Sequence, residues 1–255
     1  MEKIDYLASR GIASGMDLDG YGKLYYQTNE NLIDTYIDTD FNDKDVFSVL
    51  ASSDQVFTCQ FLGAKSVDSF DINALAIYYY YLRLWSIKYQ NSLYPNIYNR
   101  KELLSLLKMV NCENRFERMA LTFFLRHIDE KTNIEKLFYK PDYQFEGSVL
   151  YEQASDLQDV INNRMRFYNV DFFEKFNLRK KYDIIVLSNI LDWARNDVSK
   201  IQIVKDNVNR LLKDDGVVIC SLLSRTNINK EREIFFDYEC QEYKDTRGYT
   251  YTKKR

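Results

Sequence analysis

The chain has 255 residues, 45% of them hydrophobic and 29% charged, enough for one sizeable α/β core with an insertion. A formal charge of −3 argues against nucleic acid as the main partner. One histidine is too few for a multi-histidine metal site, and the four cysteines lack the paired spacing of a metal cluster or disulfide frame, so buried, reduced thiols and no metal are expected.

Residues 1 to about 40 read as a polar lead-in. Helical turns are expected from near Asn29, where Thr28 or Asn29 can cap and Leu32, Ile33 and Tyr36 give an apolar face. Val46 to Ala51 and Val67 to Phe70 read as short strands rich in β-branched and aromatic residues, separated by a helix and a turn at Gly63. A right-handed crossover then lays them side by side in a parallel sheet. Ligands of such sheets sit outside the carboxyl ends of the strands, so the loop Ala51, Ser52, Ser53, Asp54 and Gln55 is expected to share one crevice with Asp71. Asp71 stands twenty residues after Ala51, the separation at which nucleotide-binding βαβ units place a carboxylate on ribose hydroxyls; Ile72 and Asn73 adjoin it.

This loop has no glycine-rich fingerprint: the chain has eight glycines, none between Gly22 and Gly63. A pyrophosphate cradle is therefore not expected. Ser52, Ser53 and Asp54 suit a helix N-cap, and Asp54 is expected to place negative charge beside the crevice, repelling phosphate and attracting an amine or sulfonium. S-adenosylmethionine carries both of those groups and no phosphate, which makes it the expected cofactor.

Asn73 to about Gln90 reads as a helix buried on most of its circumference, with Tyr78, Tyr81 and Trp85 at helical spacing as core or as a substrate-facing wall. From 92 to about 150 the α/β alternation gives way to a helical insertion, with helices at Lys101–Val110, Asn114–Ile128 and Ile134–Phe138. The pattern resumes with a helix over Leu150–Asn162, a third strand at Met165–Tyr168, and Asp171 as cap of a helix around Phe172 to Phe176. Tyr182–Leu187 reads as a central parallel strand. Val198–Leu212 is an amphipathic helix ended by Asp214-Asp215-Gly216, Val217–Leu223 a fifth strand, and Glu233–Tyr243 with Tyr249–Lys253 a terminal antiparallel hairpin. No run approaches the ~18 apolar residues of a membrane span and no apolar leader follows Met1, so a cytoplasmic protein without stable membrane insertion is expected.

The stretch SSDQVFTCQFLGAKSVDSFDINALAIYYYYLRL, with Tyr25-Tyr26-Gln27-Thr28-Asn29-Glu30-Asn31-Leu32 upstream and Leu187-Ser188-Asn189-Ile190-Leu191-Asp192-Trp193 downstream, resembles the S-adenosylmethionine:diacylglycerol 3-amino-3-carboxypropyl transferases of betaine-lipid synthesis. It is most similar to their bacterial relatives, whose loop reads Ser-x-Gly-Asp-Gln; here Ser53 replaces that glycine. The resemblance implies a Rossmann-like class I methyltransferase fold, a mostly parallel doubly wound sheet over 41–255 with residues 1–40 as a lid. It also implies transfer of a methyl or 3-amino-3-carboxypropyl group from S-adenosylmethionine to a small-molecule, saccharide or lipid acceptor. Under it Asp171 takes the adenine amino group, Ser188 and Asn189 hold the methionine portion or the acceptor, and Asp192 serves as general base or amine anchor. Tyr26, Asn29 and Trp193 then become lid or substrate contacts. Two other readings remain open: a cofactor-binding sensor or degenerate paralogue, and a partner-binding protein that keeps only the fold.

Overall fold

The computed structural model describes residues 24–28, 30–128, 134–138, 149–161, 165–194, 197–221, 238–243 and 248–253. Its strands are β1 (Asp45–Val49), β2 (Ser66–Asp71), β3 (Phe167–Asn169), β4 (Tyr182–Ser188), β5 (Leu212–Ser221), β6 (Tyr238–Tyr243) and β7 (Gly248–Lys253). They form one sheet in the order β3-β2-β1-β4-β5-β7-β6. The first five run parallel, in registers such as Val46↔Val67, Val46↔Ile184 and Ile184↔Val217, while β7 runs antiparallel between β5 and β6. This is the Rossmann-like class I methyltransferase arrangement. The strand order reverses between β1 and β4, and the carboxyl ends there open a crevice.

The helices are α1 (Leu32–Tyr36), α2 (Asp54–Phe61), α3 (Ala76–Trp85), α4 (Arg100–Met109), α5 (Arg115–His127), α6 (Ser155–Gln158) and α7 (Val198–Leu211). One face of the sheet, with Val46, Ile184 and Val186, packs on Val56, Phe57 and the tyrosines of α3. The other, with Phe47, Phe70, Ile185 and Leu187, packs on Ile201, Val204, Val208 and Leu211 of α7. Successive strand residues point to opposite faces, so the buried run Ile184-Ile185-Val186-Leu187 serves both layers. All ten residues of α3 are buried, because the helix lies between the sheet and the insertion; Tyr78 meets Phe123 of α5 at 5.3 Å between rings. Tyr78, Tyr81 and Trp85 are thus core residues.

The insertion helices start where their caps dictate. Asn99 accepts the Glu102 N–H ahead of α4, and Asn114 with Glu117 forms a reciprocal capping box on α5. Several boundaries differ from the sequence reading. The helix expected over Leu150–Asn162 shrinks to α6, because the Asp156 carboxylate takes the N–H groups of Glu152 and Gln153 in a turn. No helix forms at Phe172–Phe176: Asp171 Oδ1 accepts the Phe173 N–H, and Asn207 Nδ2 donates to the carbonyls of Phe172 and Glu174. The long helix after Asn73 ends as α at Trp85 and continues as a π-helical turn to Gln90. Finally, β5 begins directly after α7, Leu212 pairing with Tyr182 before exposed Asp214 and Asp215 bulge out and Val217 rejoins at Ile184.

Candidate functional site

A cleft of about 800 Å³, counting the space open at its mouth, lies over the carboxyl ends of β1, β2 and β4. Ala51 stands at the end of β1 and Asp71, Ile72 and Asn73 at the end of β2. Val170, Asp171, Phe172 and Phe173 follow β3; Ser188, Asn189, Ile190 and Trp193 follow β4. Leu24 and Tyr25 close one side. Eight residues singled out in the sequence are therefore brought together: Ala51, Asp71, Ile72, Asn73, Asp171, Ser188, Asn189 and Trp193.

Asp71 is the best-anchored of these. Its Oδ2 accepts the Ala51 N–H at 2.9 Å and its Oδ1 the Asn73 N–H at 2.8 Å, tying the ends of β1 and β2 to one carboxylate. Each oxygen keeps further lone-pair capacity. Burial pushes the carboxyl up to about 6, and the two N–H donors oppose that shift. Next to it, Asn169 Nδ2 donates to the carbonyls of both Asp71 and Ile72 at 2.9 Å, which fixes the backbone that carries exposed Ile72 over the cleft. Opposite, Phe172 and Phe173 form an apolar wall, and Asp171 beside them spends one oxygen on the Phe173 N–H.

The loop after β1 departs from expectation. Ser52, Ser53, Asp54 and Gln55 are all buried and none lines the cleft. Asp54 does not place charge beside the crevice; it turns into the core. There its Oδ1 meets Arg83 Nη1 at 2.8 Å and accepts the hydroxyls of Tyr94 and Tyr151, while its Oδ2 accepts the Thr28 N–H and the Ser52 hydroxyl. Arg83 also donates to the carbonyls of Ser52 and Leu93 and stacks over the rings of Phe57 and Tyr94. Burial works against its charge, but Asp54 and the surrounding tyrosines hold its pKa above the ordinary arginine range. Ser53 occupies the N-cap position of α2 without making a side-chain cap bond. Ala51 and Ser53 adopt left-handed backbone, φ 43° and 76°, which glycine would take without strain.

The lead-in contributes differently from its expected contacts. Tyr25 lines the cleft, whereas Tyr26 points away: its hydroxyl donates to the Pro95 carbonyl, and its ring sits among Tyr79, Tyr94, Tyr98 and Phe138. Asn29 lies outside the described residues. Asp192 is not among the residues that line the cleft; it belongs to the 3₁₀ turn Ile190–Ala194, whose Ile190 and Trp193 do line it, with its N–H on the Asn189 carbonyl. The sequence reading missed Glu30. This acid is 4% exposed and accepts the hydroxyls of Ser188 at the end of β4 and Ser221 at the end of β5, so it fastens the lead-in to the cleft floor. Burial raises its pKa, and side-chain hydrogen bonds from Ser188, Ser221 and Gln55 oppose that. In a Thr-Asn-Glu-Asn run nothing distinguishes such an acid from a solvated one.

No family model and no curated protein matches the sequence. Solved structures that it resembles include a ribosomal protein L11 methylase from Lactobacillus delbrueckii subsp. bulgaricus (12% identity over 100% of this chain and 80% of that one, TM-score 0.42). Another is the N-methyltransferase NodS from Bradyrhizobium japonicum WM9 in complex with S-adenosyl-L-homocysteine (9%, 100% and 87%, TM-score 0.40). A third is a TehB-like SAM-dependent methyltransferase from Corynebacterium glutamicum (9%, 84% and 82%, TM-score 0.39). Likeness at this level carries no chemistry across to this chain. Among the described residues, no helix is long and apolar enough to cross a membrane, and no three His, Cys, Asp or Glu side chains are grouped to hold a metal ion.

Proposed function

We propose that the chain is an S-adenosylmethionine-dependent transferase that moves a methyl or 3-amino-3-carboxypropyl group to an acceptor. The carrying observation is the chemistry of the cleft wall. It holds two carboxylates, Asp71 and Asp171, beside apolar Ile72, Phe172 and Phe173, and no Lys, Arg or His among its described residues. Such a wall favours a nucleoside without phosphates over a dinucleotide.

In this reading Asp71 takes the ribose hydroxyls, held in place by the Ala51 and Asn73 N–H groups. Ile72 and Phe172 flank the adenine, Asp171 takes its amino group, and Ser188 and Asn189 hold the methionine portion. When bound, the cofactor supplies a carbon made electrophilic by its sulfonium. The chain's task is to hold an acceptor in line with that carbon at about 3–3.5 Å and to keep water out.

Calorimetric titration tests the reading with S-adenosylmethionine, S-adenosylhomocysteine and NAD⁺ against the wild type and Asp71→Ala. Micromolar binding of the first two is expected, weakened in the variant by about 1–3 kcal/mol, the scale of charge-assisted hydrogen bonds, with NAD⁺ excluded. A folded wild type that binds neither adenosyl ligand overturns it.

A further inference from the structure

A second cavity, of about 940 Å³ counting the space open at its mouth, lies between the end of α3, the π-helical turn that follows it, the start of α5 and the end of α6. Its buried floor is made by Leu84, Trp85, Ile87 and Glu117, and its exposed rim includes Lys88 and Asp159. It shares no lining residue with the cleft. Asn73, which lines the cleft, precedes α3, whereas Trp85 closes it, so ten residues of helix, about 15 Å of rise, separate the two. An acceptor held in this cavity would be out of reach of a reacting carbon in the cleft, which requires about 3–3.5 Å. The cavity is therefore not the acceptor's place.

Two polar groups of the floor are left over by the fold. Trp85 is 2% exposed, and its indole N–H has no partner among the described residues. A buried donor without an acceptor is costly, and the cavity that the indole lines is the side from which an acceptor can reach it. Glu117 is 5% exposed, and its Oε2 accepts the N–H groups of Glu113 and Asn114 at the start of α5. Its Oε1 takes no hydrogen bond among the described residues, so a carboxylate oxygen is open to a donor in the same cavity. Gln158, next to Asp159, donates to the Ile87 carbonyl at 3.2 Å and fixes that rim to the π-helical turn.

We propose that this cavity is a second ligand site that takes a small α-amino acid with an apolar side chain. The ligand's ammonium goes to Glu117 Oε1, with Asp159 adding negative charge at the rim. Its carboxylate accepts the Trp85 N–H and draws on Lys88. The pair that Lys88 makes with Glu113, 3.6 Å apart and more than half exposed on both sides, is of the kind that contributes little and yields readily. Leu84, Ile87 and Ile161 receive the side chain. An amine without a carboxylate leaves the Trp85 N–H and Lys88 unanswered, and an anion without an amine meets two carboxylates. The inference does not rest on the S-adenosylmethionine reading.

Calorimetry on the full chain tests it with L-leucine as the probe, beside isopentylamine and isocaproate, which are leucine without its carboxylate and without its amine. L-Leucine should bind with a Kd on the order of 0.1 mM, and each truncated probe about tenfold more weakly or worse. Glu117→Gln keeps an oxygen for the α5 cap and Trp85→Phe keeps an aromatic ring in the core, so both should fold by circular dichroism. Each should weaken leucine by about tenfold, while Asp71→Ala in the cleft should leave it within about twofold. The inference is overturned by no saturable leucine binding up to about 10 mM, by a truncated probe that binds as tightly as leucine, or by either folded variant binding like the wild type. It is also overturned by a loss in Asp71→Ala, which would put leucine in the cleft. Should one cavity variant fail to fold, the other and the truncated probes still decide.

Discussion

Arg83 Nη1 lies 2.8 Å from Asp54 Oδ1 with both side chains withdrawn from solvent, so the acid that opens α2 is neutralised from inside the protein. The same guanidinium holds the Ser52 carbonyl, and so fixes the loop whose Ala51 N–H anchors Asp71. Removing one partner of a buried pair strands the other, at about 3–5 kcal/mol. Arg83→Met should cost that much in urea unfolding. Arg83→Lys should recover little, because a single ammonium cannot span Asp54 and the carbonyls of Ser52 and Leu93. A loss under about 1 kcal/mol in Arg83→Met would show the pair to be dispensable.

Ser53 offers the opposite effect. Its backbone is left-handed at φ 76°, and its hydroxyl is buried with no partner among the described residues. Glycine relieves ~1–2 kcal/mol of left-handed strain and an unsatisfied hydroxyl, against ~0.5–1 kcal/mol of extra chain entropy. Ser53→Gly should therefore stabilise the fold by about 1 kcal/mol, raising Tm by roughly 2–4 °C. Ser53→Ala, which removes only the hydroxyl, should gain less. If glycine proves no better than alanine in thermal melts, the strain argument is wrong.

These two sites also mark what the sequence could and could not reveal. The βαβ unit was legible, because strand composition, the Gly63 turn and the Ala51-to-Asp71 spacing are local features of the chain. The direction of Asp54 was not. Its five donors come from residues 28, 52, 83, 94 and 151, and a carboxylate at a helix start looks the same in sequence whether it faces ligand or core. Glu30 was hidden for the same reason, since Ser188 and Ser221 lie 158 and 191 residues away. The helix expected at Phe172–Phe176 failed on one distant side chain, Asn207.

At the amino ends of the sheet, Lys180 bridges Asp45 and Asp68 while Lys213 bridges Asp45 and Asp183. The Ser66 hydroxyl, helped by both lysines, holds the Asp45 carboxyl below its usual range. Burial opposes the same shift at Asp183, but Lys213 and the Asp45 N–H outweigh it. Carboxylates with depressed folded pKa values add stability above their unfolded value near ~4, and lose it as pH falls through the folded one. Lys213 is 41% exposed, so its share is screened and should stay under about 1 kcal/mol. Lys213→Met should melt lower than wild type at pH 7, with the gap closing between pH ~4 and ~2. A gap unchanged at acid pH would assign the effect to lost packing.

The raised carboxyl of Asp71 gives the proposed site a pH signature. With the free protein's Asp71 at about 6, the ionised form that accepts two ribose hydroxyls is nearly complete at pH 8 and a minority at pH 5. Binding adds donors to the carboxylate and so lowers its pKa in the complex. Affinity for S-adenosylhomocysteine should therefore be level above pH ~7 and fall as pH drops through ~6, approaching tenfold per unit until the pKa of the complex is reached. The neutral thioether is the better probe here, since it carries no sulfonium charge of its own. Asp71→Asn should bind weakly with a flat profile over the same range, as it has no proton to exchange. Calorimetry from pH 5 to 8 in both proteins measures this directly. A wild-type profile as flat as the variant's would mean that Asp71 does not take the ribose.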